Sequence, residues 1–238
     1  MWKNLIKIFI CFFFGIFGGI FADQIIWPYF IERPLFYQYR LEQSPIYLTE
    51  KKEIFIQENT ALKNAIEKVD KTVVGIRTKL KSDLVLEGSG LIVSSDGLVV
   101  TLAELVPSNS QINIFWEGEN LSFKILKRDQ KENLALLKIE KSNLPTAGFF
   151  DLEKLKIGER VFLLGIIFDK EKSRKIANEG MVKYFDEDFI RTNIFEKKIL
   201  AGSALFDIEG KILGINTIDK EGKVIAISSK KIKAIAGF

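Results

Sequence analysis

The sequence has 238 residues, 47% of them hydrophobic and 28% charged, with 35 Lys and Arg against 31 Asp and Glu for a net charge of +4. That apolar content suits a real core in one or two domains; the charge excludes an integral membrane bundle, and the scattered basic residues do not make a nucleic-acid footprint. With no histidine and one cysteine, Cys11, the chain has no intrachain disulfide, no imidazole for a Ser-His-Asp or Cys-His mechanism and no Cys/His zinc set; no metal or cofactor is expected.

Leu5 to Ala22 is apolar apart from Lys7, about long enough to cross a bilayer. Trp2 on one side and Trp27-Pro28-Tyr29 on the other suit the interfacial aromatic belts, and Lys3 and Lys7 place the amino terminus inside. An uncleaved anchor is expected, because Ile20 stands where signal-peptide cleavage wants a small residue; a cleaved signal peptide is the alternative. The predicted organisation is an anchor over 1–23, a juxtamembrane spacer over 24–56 and one domain over 57–238. The spacer carries Pro28, Pro34 and Pro45 and the aromatic residues Tyr29, Phe30, Phe36, Tyr37 and Tyr39. A short amphipathic helix is predicted over 58–70, with Ala61, Leu62, Ala65, Ile66 and Val69 on one face.

From Thr72 onward the pattern becomes short β-rich runs separated by turn residues. They are Val73–Thr78, Leu84–Ser94, Leu98–Thr101, Ile112–Trp116, Phe123–Leu126 and Leu134–Ile139, then Arg160–Gly165, Ile176–Phe185, Ile190–Asn193, Ala204–Phe206, Lys211–Thr217 and Val224–Ile227. Ser94-Ser95-Asp96-Gly97, Glu209-Gly210 and Asp219-Lys220-Glu221-Gly222 read as turns, and Ser229–Ala236 as a closing helix. The fold class is all-β, a barrel or sandwich.

Five segments in order carry a family resemblance. They are Glu87-Gly88-Ser89-Gly90 running to Thr101-Leu102-Ala103-Glu104-Leu105-Val106; Asn133-Leu134-Ala135-Leu136-Leu137-Lys138-Ile139; Leu155-Lys156-Ile157-Gly158-Glu159; Gly180-Met181-Val182; and Thr192 through Ala201-Gly202-Ser203-Ala204-Leu205 to Gly214-Ile215-Asn216. Together they resemble HtrA/Deg-type serine proteases of the trypsin-like, chymotrypsin-fold class. The resemblance implies a double six-stranded β-barrel, without the C-terminal PDZ module that many such proteins carry. It also places Glu104 on the catalytic histidine, Asn133 on the aspartate and Ala201 on the nucleophile, with Ile199-Leu200 where the oxyanion loop has Gly-Asn.

Loss of a triad nucleophile or base costs on the order of a million-fold in turnover. The expectation is therefore a membrane-anchored HtrA-like pseudoprotease, not an enzyme, that binds, scaffolds or regulates outside the cytoplasm. Its domain would face out of the inner membrane on a single span. A vestigial groove lined by Thr192, Asn193, Gly202 and Ser203 is expected to hold an unfolded peptide or envelope protein by strand addition. The resemblance implies a possible homotrimer through the aromatic spacer; nucleic acid is not an expected partner. The alternative is a divergent endopeptidase of the envelope using Ser203 as nucleophile, activated by Lys197 or Lys198.

Overall fold

The computed structural model describes residues 2–31, 58–169 and 172–238. The side chains of the spacer aromatics, expected to serve self-association, lie outside the described residues. Helix α1 (Trp2–Phe21) continues as a wider π-type coil over Ala22–Ile31. Together they give a 26-residue apolar span, Trp2–Trp27, with mean hydropathy 2.3 and none of its hydrophobic window buried. Length and composition alone make it able to cross a bilayer.

Ile56–Phe238 forms a compact unit separate from Met1–Phe55. It opens with α2 (Glu58–Val69), whose Ala65 and Val69 are buried while Lys63 and Glu67 form an exposed i,i+4 pair. The first sheet comprises β1 (Val73–Lys79), β2 (Val85–Ile92), β3 (Leu98–Leu102), β4 (Gln111–Trp116), β5 (Glu119–Leu121), β6 (Phe123–Asp129) and β7 (Leu134–Ile139). Its order is β5-β4-β1-β2-β3-β7-β6, with every pair antiparallel. The second sheet closes into a six-stranded barrel, β10-β13-β12-β11-β8-β9. Its strands are β8 (Arg160–Asp169), β9 (Lys172–Phe185), β10 (Phe189–Phe195), β11 (Ala204–Asp207), β12 (Ile212–Ile218) and β13 (Lys223–Ser228), and α3 (Ser229–Ala236) follows. This is a chymotrypsin-like architecture: one barrel is closed and the other is an open, seven-stranded half-barrel. The strand not foreseen is β5, only three residues long.

The continuous apolar run Val161–Ile167 follows from the position of β8, which is buried on both faces. Phe162, Leu164 and Ile166 join Ile76, Leu91 and Leu137 of the first sheet in one core, whereas Val161 and Leu163 face Ile190, Leu205 and Leu213 inside the second barrel. The Phe162 and Phe206 rings stack at 5.4 Å in the shared core. At the far end of β8, Phe168 meets Phe115 edge-on at 5.3 Å, under the Arg77 guanidinium at 4.5 Å from its centroid. The hairpin between β11 and β12 turns where expected. The Asp207 carboxylate accepts the N–H groups of Glu209 and Lys211 at 2.9 and 2.7 Å, an Asx-type turn.

Candidate functional site

Three short segments converge between the two sheets. The first is the single 3-10 turn Ala103–Leu105 that ends β3. Asn133 holds it, in a left-handed conformation with φ 51° that asparagine tolerates better than most side chains. Its side-chain Oδ1 accepts the Glu104 N–H at 3.1 Å, and its carbonyl accepts the Ala103 N–H, also at 3.1 Å. Glu132, its neighbour, ties this loop to α3 through Lys231, and that hydrogen bond pulls the Lys231 ammonium pKa above its ordinary value.

The second segment is the turn Lys198–Leu200. Leu200 and Ala201 donate their N–H groups to Lys197 and Lys198 carbonyls, both at 3.0 Å, so the Ala201 donor is spent inside the turn. Leu200 enters the apolar interior of the second barrel beside Leu155, Leu163 and Leu205. Gly202 then takes φ +78°, and a Cβ there would stand 2.1 Å from the Ser89 carbonyl oxygen. The third segment is β2. Its Ser89 N–H donates to the Ala201 carbonyl at 2.9 Å, and a Cβ on the adjacent Gly88 would lie 2.6 Å from that same oxygen.

Between these segments lies a pocket of about 240 Å³ lined by Val85, Leu86, Glu87, Glu104, Leu105, Lys198, Ile199 and Ala201. Val85 and Ile199 are 45% and 41% exposed, so the rim is apolar and open. The Glu87 carboxylate is bound by Arg77 at 2.8 and 3.0 Å, whereas Glu104 faces Lys198 across the pocket at 3.3 Å. Pairing of β2 with β3 covers only Gly90–Ile92. Because Ser89 N–H points away from β1, the alternation of an antiparallel strand turns the backbone groups of Glu87 and Val85 the same way, toward the pocket. The pocket is therefore flanked by a short, open strand edge.

The structure brings Glu104, Asn133 and Ala201 to one place: Asn133 bonds Glu104, and Glu104 and Ala201 share the pocket. It does not bring the four expected groove residues there. Thr192 is buried, and its hydroxyl donates to the Val224 carbonyl at 3.2 Å and accepts from Ile194 N–H at 3.2 Å. Asn193 lies on the outer face, where its Oδ1 accepts the Met181 N–H at 2.8 Å. Gly202 N–H donates to the Asn216 carbonyl. Ser203 is 0% exposed, its Oγ accepting from the Asn216 amide at 3.0 Å. Both hydroxyls are turned inward to satisfy buried groups, which is why neither reaches the pocket. Lys198, expected to activate Ser203, pairs instead with Glu104. Val85, Leu86, Glu87 and Leu105 also line the pocket, and the family resemblance gives none of them a site role. A signal was present in Leu84-Val85, an apolar pair at a strand start that the turn before it leaves in solvent.

Comparison with known protein families matches residues 88–215 to the trypsin-like peptidase domain. Among curated proteins, "Probable periplasmic serine endoprotease DegP-like" from Pseudomonas putida is 33% identical over 141 residues, 55% of this chain and 28% of the relative. The protein of the same name from Hahella chejuensis is also 33% identical over 141 residues, covering 29% of its length. This chain thus spans less than a third of the relatives it matches. Among solved structures, an HtrA-type protease with a bound tripeptide superposes with a TM-score of 0.66 at 23% identity, over 74% of this chain and 62% of that one. The serine endoprotease from Yersinia pestis gives 0.65 at 22%, over 74% and 65%. These two show the shared fold. The expectation that the chain is not an enzyme is overturned by the curated relatives, which are named as serine endoproteases. Their periplasmic names and the apolar N-terminal helix point to the cell envelope. With its half-barrel, its closed barrel and its match over residues 88–215, the chain belongs to the family of trypsin-like peptidase domains, and its relatives within that family are HtrA-type proteases.

Proposed function

We propose that this protein is held in the inner membrane by α1, as a single span, and uses its trypsin-like domain outside the cytoplasm to bind extended polypeptide in the cleft beside Ala201. The observation that carries the reading is the pairing of an apolar pocket with an open strand edge. An extended chain gains main-chain hydrogen bonds at Val85 and Glu87, and one of its apolar side chains fills the space between Leu105 and Ile199. Unfolded envelope proteins present such segments. A trimeric arrangement of these domains would add avidity for long clients.

The binding test uses the full chain in detergent micelles with fluorescein-labelled, reduced and carboxymethylated lactalbumin. Saturable binding is expected, weakened about ten-fold by Val85→Pro, which removes one outward N–H without touching the ladder to β1. Absence of saturable binding defeats the reading. Topology is read by protease protection in sealed inverted vesicles, where the domain should be shielded.

Hydrolysis is the second reading, favoured by the names of the relatives. It requires an attacking oxygen, and Ser203 is buried against Asn216, with its nearest lysine candidate paired elsewhere. Casein turnover that disappears in Ser203→Ala would establish it.

A further inference from the structure

The charges around the pocket differ in how firmly they are placed, and that difference reaches beyond general peptide binding. Glu104 belongs to a turn fixed at both its first N–H groups by Asn133, and its side chain is 35% exposed. Its partner Lys198 stands on a flexible four-carbon stem with the side chain 73% exposed. A pair this exposed is worth little, because water screens it and two side chains must be ordered to make it. The ammonium is free to leave at little cost, while the carboxylate stands on a shorter stem rooted in a backbone that Asn133 holds. The other carboxylate of the lining, Glu87, is engaged by the Arg77 guanidinium through two nitrogens and offers no comparable opening. The pocket thus combines apolar walls from Val85, Leu105 and Ile199 with one negative charge, carried on an anchored turn, that is weakly neutralised.

We infer, resting on the polypeptide-binding reading above, that Glu104 selects for a cation: the preferred occupant is an extended segment with an apolar residue in the pocket and a lysine or arginine near it on the same face. In extended chain that face repeats every second residue, so the basic residue stands two positions from the apolar anchor. Its ammonium or guanidinium replaces the Lys198 ammonium against Glu104. Lys198 swings into solvent. The position equivalent to the family's general base becomes a specificity determinant for charge. An acidic residue at the same place would meet the fixed carboxylate and be disfavoured.

The experiment measures fluorescence anisotropy of the full chain in detergent with three labelled nine-residue peptides. Each has one central leucine in a Gly/Ser background and Lys, Gln or Glu two residues away. The Lys peptide should bind about five-fold tighter than the Gln peptide at low salt, and the Glu peptide more weakly than either. Glu104→Gln should erase the preference for Lys over Gln and Glu. Lys198→Ala, which removes the resident competitor, should tighten the Lys peptide by about two-fold. Raising salt to about 1 M should compress the differences. Equal affinities for all three peptides, unaltered by Glu104→Gln, overturn the charge selection and leave the binding reading standing. If none of the three binds while the far-ultraviolet dichroism is native, the binding reading falls as well.

Discussion

The two walls of the cleft are each a single 3-10 turn, yet they are fixed by different means. The Ala103–Leu105 wall is tied by hydrogen bonds to Asn133, whose backbone is itself in a left-handed conformation, and to the Thr78 hydroxyl, and it buries Leu105 in the shared core. The Lys198–Leu200 wall is fixed by an apolar side chain sunk into the neighbouring barrel and by a glycine that lets two backbones almost touch. Polar anchoring of the first kind is adjustable in small steps, because a lost hydrogen bond is partly replaced by water. Steric anchoring of the second kind is not adjustable: the space is full, and a change there moves backbone. The wall carrying Ala201 has no room for a larger residue at Gly202, while the wall carrying Glu104 presents an exposed charge that can be altered without rebuilding the site.

Five substitutions at four positions press on that contrast. The largest effect is expected from Gly202→Ala, which puts a Cβ against the Ser89 carbonyl at 2.1 Å in a left-handed backbone. It should cost about 4 kcal/mol or prevent folding. Leu200→Ala empties part of the second barrel's interior and should cost about 3 kcal/mol, read as a lower denaturation midpoint. Asn133→Ala loses both the tolerated left-handed geometry and the bond to Glu104, about 2 kcal/mol, whereas Asn133→Gly should lose only about 1. Glu104→Gln should stay within about 0.5 kcal/mol of the parent, since only an exposed ion pair is affected. If Asn133→Ala proved costlier than Leu200→Ala, the two walls would have to be exchanged in the comparison. If Glu104→Gln unfolded the protein, its carboxylate would be a structural group.

Twelve of the thirteen strands in the described residues were legible in the sequence, because each is an apolar or β-branched run closed by turn residues. Strand β5 was not. Glu119-Asn120-Leu121 is too short and too polar to carry a periodic signal, and pairing with β4 alone makes it a strand. That Glu104, Asn133 and Ala201 would meet was legible as well, since they sit inside segments whose flanks resemble the family pattern, and the structure brings the three together. What the loop around Ala201 would do was hidden. It depends on Leu200 finding Leu155 and Leu163, contacts distant in sequence. The inward turn of Thr192 was hidden too, because β10 shifts register against β13 between Arg191 and Phe195, and such a shift breaks the simple alternation of faces. Ser203 is expected to line the groove, but its backbone is bonded at N–H and carbonyl to Leu200 and Asn216, which draws it inside.

Strand β8 has a consequence for how the two halves live and die together. Its even-numbered side chains complete the hydrophobic interior begun by β1, β2 and β7, while its odd-numbered ones belong to the barrel it was born in. Neither half owns a full complement of buried surface. Cutting the chain in the connector between β7 and β8 would therefore leave two insoluble fragments instead of two small domains, and intact protein would melt in one cooperative calorimetric event.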